Sequence, residues 1–326
     1  MAHLSTSEID DIAAATVDFR LPTLVDNVYV GTPLIKALDV KHRITAQGGT
    51  RISQPILYGR APGGSYRGMS PMDVARRKTK TRFELDWKQY YGSVTIDGLT
   101  ALSASGPDAI FELVDTEMQQ AEMTIIESMG TDTFLDGTSN FGWALDGLDE
   151  AVNTTGSYGG INRVTDVEGP ALLGNRDATG GDLTLPAMQS SWGAATHGGR
   201  HPDIIVTDQK LYDRIWAHVH PSQRLPIGPL AESLSDKGPM GQAGFDSIRF
   251  NTAVVMVDEK CPAGTLWMLN TDYISLVAHV ARANMEVQGP VTSLNQDGTV
   301  RKLLWMGNLV VSSPRMQAVM TNLTEP

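Results

Sequence analysis

The 326-residue sequence predicts a mixed α+β fold. Three observations carry that reading. Residues 107–129 hold one long amphipathic helical pattern, and residues 80–98, 247–280 and 300–323 alternate or run apolar as strands do. Residues 202–219 join a short buried strand to a helix.

Residues 1–45 are acidic, apolar and loop-like by turns. SEIDDIAAATVDF reads as a brief helix, RLPTLVDNVYVGTPLIKAL as extended chain joined to a helical turn, and no compact domain is visible there. From about 46 to 98 the text changes. AQGGTRISQPILYGRAPGGSYRG is rich in glycine and turn signals, RRKTKTRFELDWKQYYGSVTIDGL alternates, and together they predict a long two-stranded excursion with a polar tip. A two-stranded ribbon buries too little to stand alone, so it must lie on another surface.

In the 107–129 helix, Ile110, Leu113, Val114, Met118, Ala121, Ile125 and Met129 recur at three- or four-residue spacing. Pro107 suits the first helical position, Ser105 or Gly106 the cap, and Gly130 the stop. Loops dominate 131–200, broken by a helix at LPAMQSSWGAAT. In PDIIVTDQKLYDRIWAHV the strand passes into a helix that Asp208 can cap, with Leu211, Ile215 and Val219 along one face. QRLPIGPLAESLSDKGPMGQAG follows as a loop, then strands in SIRFNTAVVMVD, GTLWMLNT and YISLVAHV, and two strand pieces in VRKLLWMGNLVVSSPRMQAVMTNL. No repeat of 20–50 residues is present.

Hydrophobic residues make up 41% and charged residues 19%, which excludes disorder, collagen and a disulfide scaffold. Cys261 is the single cysteine, so no intrachain disulfide and no cysteine-built zinc or iron–sulfur site can form, and a reducing compartment fits best. No apolar window reaches membrane-spanning length, and the first twenty residues lack a basic stretch followed by an apolar one. A net charge of −11 argues against a dedicated nucleic-acid binder. That total hides an asymmetry, because Lys36 to Lys88 carries a local +8, leaving −19 on the rest of the chain. A cationic segment on an anionic protein asks for a partner.

Four of the seven histidines, His197, His201, His218 and His220, fall within 24 residues, so metal binding is one reading. Glycines 198 and 199 work against a helix that would turn His197 and His201 the same way. SYGGINR sets glycines beside Arg163, yet no nucleotide-binding glycine motif and no G-x-S-x-G elbow occurs. Cys261 precedes Pro262 at a turn between strands, without a nearby histidine, and no carboxylate pair stands out. The densest charge is RRKTKTR, with Arg76, Arg77, Lys78, Lys80 and Arg82. It fits a solvated face, a nucleic-acid contact, or a neighbouring subunit over which the ribbon lies.

The order of these features resembles the major capsid proteins of tailed bacteriophages, the Hong Kong 97 type capsid fold. SYGGINR, PDIIVTDQKLYDRIWAHV, GFDSIRFNTAVVMVDEKCPAGTLWMLNTDYISL and GNLVVSSPRMQAVM all look like stretches of such coat proteins, and the resemblance spans nearly the whole chain. It implies an N-terminal arm at 1–45, an E-loop β-ribbon at 46–98, and a peripheral domain at 99–194 and 271–326 with 107–129 as its spine helix. An axial domain falls at 195–270, with the 223–244 loop at the capsomer centre.

The implied function is mechanical: copies form hexamers and pentamers that close into the icosahedral head of a virion around double-stranded DNA, without enzyme activity, cofactor or metal. Arm and ribbon supply the heterologous contacts such a shell needs, and an acidic inner wall avoids gripping the packaged DNA. The resemblance also implies portal and decoration proteins and, because the arm begins close to Met1, a separate scaffolding protein. Some relatives join an E-loop lysine to an asparagine of another subunit. Lys78 and Lys80 lie in the right segment, but the sequence identifies neither that asparagine nor its acid. Two alternatives remain, an encapsulin-like compartment shell and a metal-dependent hydrolase using His197 and His201.

Overall fold

The computed structural model describes residues 31–97, 107–219, 248–292 and 297–324. The expected helix in SEIDDIAAATVDF, the Ser105 or Gly106 cap, the 223–244 loop and His220 lie outside the described residues, as do the side chains of Ile110, Leu113, Val114 and Val219.

The described chain opens with α1 (Pro33–His42) and β1 (Arg43–Ala46), where the sequence suggested only a helical turn. Leu34, Ile35 and Leu38 recur on one face of α1, and all three are buried. β2 (Ile52–Leu57) and β3 (Lys80–Leu85) then form a two-stranded antiparallel ribbon. β4 (Lys88–Asp97), read from sequence as part of the same excursion, instead belongs to the main sheet. It runs antiparallel to β14 (Gly298–Val311) over ten pairs, from Lys88 opposite Gly307 to Asp97 opposite Gly298. Alternation looks the same in a free ribbon and in a sheet edge, so only the partner strand tells them apart.

β14 organises the five-stranded sheet. Besides β4 it pairs antiparallel with β12 (Ile274–His279) along its second half and β13 (Glu286–Thr292) along its first, and β1 adds parallel to β12. The long helix α2 (Pro107–Thr133) lies against β4. Close approach is possible because β4 carries Gly92, where a Cβ would stand 2.8 Å from the Ala121 carbonyl oxygen. Ala121, Ile125 and Met129 are buried together with Val94, Leu303 and Trp305. Ile125 is 1% exposed, so Ile125→Ala is expected to cost about 3 kcal/mol in chemical denaturation. A loss under about 1 kcal/mol would mean that the helix is not pressed on the sheet.

α2 does not stop at Gly130 but continues to Thr133. The glycine serves contact: a Cβ there would come within 2.2 Å of Thr32 Cγ2, at the entry to α1. Sequence shows a helix breaker; the structure shows a place where two segments touch.

The second sheet has six strands in the order β7 (Asn175–Asp177), β15 (Ala318–Met320), β11 (Leu266–Leu269), β8 (Ile204–Thr207), β10 (Ala253–Val257), β9 (Arg249–Phe250). β8 and β10 are parallel neighbours, with α4 (Gln209–Val219) following β8 in the chain. α3 (Leu185–Ala195), its first turn capped by the Thr184 hydroxyl, and α4 bury Met188, Trp192, Leu211 and Ile215 in one cluster with Ile205 and Met268. Among the described residues no helix is long and apolar enough to cross a membrane.

Candidate intersubunit surface

The ribbon has an apolar foot and a polar tip. Along β3 the side chains alternate, with Phe83 and Leu85 buried while Lys80 and Arg82 face solvent. Phe83 packs on Tyr158, ring centroids 5.1 Å apart, and the Glu84 N–H donates to the Gly159 carbonyl at 3.0 Å. Tyr158 and Gly159 belong to a small hairpin, β5 (Ser157–Tyr158) and β6 (Ile161–Asn162), turned by Gly159 and Gly160 with φ of 55° and 81°. Any Cβ at Gly159 would come within 2.7 Å of the Phe83 ring.

Arg163 fixes this hairpin from inside. Only 2% exposed, it donates from Nε to the Leu172 carbonyl at 2.8 Å, from Nη1 to Thr155 at 3.0 Å, and from Nη2 to Ala151 at 2.9 Å and to Glu150. Its guanidinium also stands 5.6 Å from the Tyr158 ring centre. The SYGGINR string is therefore the buttress on which the ribbon foot rests. In the sequence this string shows a likeness to coat proteins and glycines beside an arginine but no phosphate cradle; the Gly-Gly turn between two β-forming pairs is the local signal of the hairpin.

Residues 58–79 form the tip, without regular secondary structure and almost wholly exposed. The five predicted cations do not converge on one point. Arg77 pairs with Asp73 at 2.8 Å, Lys78 with Glu168 at 3.2 Å and Arg82 with Glu84 at 2.9 Å, all at the surface where such pairs contribute little. Arg76 and Lys80 make no ion pair among the described residues, nor do Arg60 and Arg67 on the tip. Tyr66, Met69, Met72 and Val74 stand exposed beside them. The tip thus offers apolar and cationic groups that the described residues leave uncovered.

The aromatics assigned to the ribbon divide. Trp87 donates from Nε1 to the Gly49 carbonyl at 2.9 Å. In β4, Tyr90 donates to Asp132 Oδ2 at 2.6 Å and accepts from the Leu145 N–H at 3.0 Å, tying the sheet to the end of α2, while Tyr91 is exposed. Nearby, Asp146 pairs with Lys88 at 3.0 Å and accepts from Asn308 Nδ2 at 2.7 Å.

Burial first, then the Asp146 carboxylate, pushes the Glu150 carboxyl up to about 7, with Arg163 and Lys88 pulling the other way. A folded-state value above the unfolded one near 4.5 makes Glu150 favour the protonated fold. That contribution is fully present below the unfolded value and is lost as pH rises through about 7. Glu150→Gln is therefore expected to raise Tm at about pH 8 by a few degrees and to leave it nearly unchanged at about pH 4. Equal pH dependence in both proteins by calorimetry would assign the effect to other groups.

Of the histidines, His197 lies at the ribbon, lining a cleft with Gln54, Pro55, Ile56 and Leu57 of β2. His197 exchanges backbone hydrogen bonds with Arg200 in a tight turn. The His201 ring stacks on Trp192 with centroids 5.7 Å apart, and its Nδ1 lies 3.0 Å from Thr252 Oγ1 and 3.1 Å from the Pro202 carbonyl. His218 is exposed on α4. Among the described residues no three of His, Cys, Asp and Glu gather to hold a metal ion. Cys261 is buried with Sγ 3.3 Å from Thr265 Oγ1, and burial pushes its thiol up to about 12, which leaves it un-ionised and a poor nucleophile at neutral pH.

Comparison with solved structures gives the fold its class, one seen in chains of phage capsids and of an encapsulin. A chain of the cyanophage A-1(L) capsid matches with a TM-score of 0.70 at 15% identity, over 96% of this chain and 98% of that one. A chain from the capsid of a native GTA particle matches at 0.62 and 10% identity, over 99% and 100%. The encapsulin of Synechococcus elongatus PCC 7942 matches at 0.64 and 9% identity, over 98% and 96%. The architecture is the Hong Kong 97 type capsid fold. No family model matches the sequence, and no curated protein resembles it.

Proposed function

We propose that this chain is the major capsid protein of a tailed bacteriophage, a structural protein whose copies assemble as hexamers and pentamers into the icosahedral head of a virion around double-stranded DNA. The observation that carries the reading is the end-to-end likeness to the cyanophage capsid chain, at a TM-score above that of the encapsulin. The ribbon agrees with it: a cationic, apolar tip on an anionic chain fits a neighbouring copy better than it fits solvent. In this reading residues 1–45 are the arm and 46–87 the E-loop, β4 and α2 with the five-stranded sheet make the peripheral domain, and the six-stranded sheet with α3 and α4 makes the axial domain, so the borders expected from sequence at 98, 194 and 271 shift to follow the two sheets. Arg76, Arg77, Lys78, Lys80 and Arg82 then serve contact between subunits, with Arg76 and Lys80 the cations left free for it. Scaffolding, portal and decoration proteins are the further partners, and packaged DNA is touched without sequence preference.

Negative-stain electron microscopy and light scattering of the chain, expressed alone and with its neighbouring genes, test this. Closed shells, tubes or rings tens of nanometres across are expected, with nuclease-protected DNA in shells from infected cells. Shells holding a protein cargo and no DNA would support the encapsulin reading instead, which the 0.64 match keeps as the second one. A monodisperse monomer or dimer under every condition would overturn both.

A further inference from the structure

Residues 136–146 form a loop after α2 that is fixed along its whole length. At its start the Thr138 N–H and hydroxyl both donate to Asp136 Oδ1, at 3.1 and 2.6 Å. At its end the Leu145 N–H donates to Tyr90 Oη at 3.0 Å and the Asp146 N–H to Asn308 Oδ1 at 3.1 Å. In the middle, Lys88 Nζ donates to the Gly142 carbonyl at 2.7 Å. Between these anchors Asn140, Phe141 and Gly142 take three successive left-handed conformations, with φ of 51°, 60° and 81°. Such a backbone is uncommon for phenylalanine and persists where its surroundings hold it.

The consequence is an aromatic knob. Phe141 is 91% exposed and Trp143 66%, with ring centroids 6.1 Å apart and planes inclined at 56°. Single exposed apolar side chains are ordinary, but two adjacent aromatics on a rigid, strained loop have the form of an interface anchor. The complement lies on the same molecule. At the ribbon tip Met69 and Met72 offer thioethers that suit ring edges, and Arg60, Arg67 and Arg76, which make no ion pair among the described residues, offer guanidinium groups that suit ring faces and the exposed Asp136. Both surfaces stand open in the single chain, so they do not cover one another there.

We propose that Phe141 and Trp143 are the seat for the ribbon tip of a second copy of this chain. Tip and seat are different patches, so the contact is heterologous and can propagate around a ring of copies. This inference rests on the shell reading above and gives its basic ribbon a specific receiving surface.

The test places the photo-crosslinking amino acid p-benzoylphenylalanine at position 141, assembles particles, irradiates them and identifies the joined peptides by mass spectrometry. The expected product is a dimer linking position 141 to a peptide within residues 58–79. Alongside it, Phe141→Ala with Trp143→Ala is expected to leave the chain's circular dichroism and melting unchanged, because both rings are exposed, while particle yield falls at least about tenfold. Particles carrying p-benzoylphenylalanine at 141 that give no crosslink, or a crosslink to another segment, overturn the proposal alone, as does normal assembly of the double variant. A wild-type chain that never assembles overturns the shell reading, and this proposal with it.

Discussion

Replacing residues 60–77 with a short glycine–serine linker is expected to leave a folded protein that no longer forms particles. The tip can be removed without loss to the fold because it lies outside the buried clusters. The ribbon is held by Phe83 and Leu85 at its foot, and the β2–β3 register from Ile52 opposite Leu85 to Leu57 opposite Lys80 survives the replacement. The melting temperature should stay within about 2 °C of the parent. Assembly is another matter, since each copy in a shell repeats the same contact. A loss of about 3 kcal/mol per contact corresponds to more than a hundredfold in each association constant, enough to abolish particles at ordinary concentrations. Sedimentation and electron microscopy read the result directly. Part of the attraction is between charges, so substituting only Arg60, Arg67 and Arg76 by glutamine should weaken assembly most at low salt and less at high salt. Normal particle yield from the linker variant would remove the tip from the interface.

Arg163→Met is expected to cost the fold about 4 kcal/mol, the largest effect of any single substitution considered. The guanidinium donates to four backbone carbonyls drawn from three stretches of chain, residues 150–151, Thr155 and Leu172. Methionine matches much of its length but donates nothing, leaving those carbonyls to find water in a closed site. Lysine is not a conservative choice either, because an ammonium on a single stem cannot copy the planar fork, so Arg163→Lys should recover only a small part of the loss. The damage should also spread to the ribbon. With the β5–β6 hairpin loosened, Phe83 loses its seat on Tyr158 and the foot should become open to protease at concentrations that spare the parent. Chemical denaturation and limited proteolysis would show both. A melting temperature unchanged in Arg163→Met would mean that the hairpin is held by its Gly159–Gly160 turn alone.

Much of the architecture was legible because it rests on local pattern. The α2 stripe of Ala121, Ile125 and Met129, the continuous apolar run of β8, the Leu211 and Ile215 face of α4 and the alternation of β3 each follow from a period that the burial of those residues repeats. The features that misled were ones whose meaning depends on a distant neighbour. Gly130 reads as a stop until Thr32 is seen against it, and β4 reads as ribbon until β14 is seen beside it. β13 was not anticipated, since Gly289 and Pro290 interrupt any strand signal within it.

The candidate surface divides in the same way. Charge counting along the chain located the cationic segment, because net charge is additive and needs no coordinates. Which of its cations are free is a matter of distance: Arg77, Lys78 and Arg82 find Asp73, Glu168 and Glu84, and Arg76 and Lys80 find none among the described residues. The histidine pairing suggested by sequence spacing gave way to stacking of His201 on Trp192, a contact between residues whose nearness only packing could create.

Sequence by itself thus determined the class of fold, the order of its elements and the charge asymmetry, all of which depend on residue type and local period. Tertiary structure alone decided that Arg163 is a buried anchor, that SYGGINR carries the ribbon, and that Phe141 and Trp143 are thrust outward. Each of those depends on backbone handedness and on groups brought together from far along the chain, and no local pattern encodes such meetings.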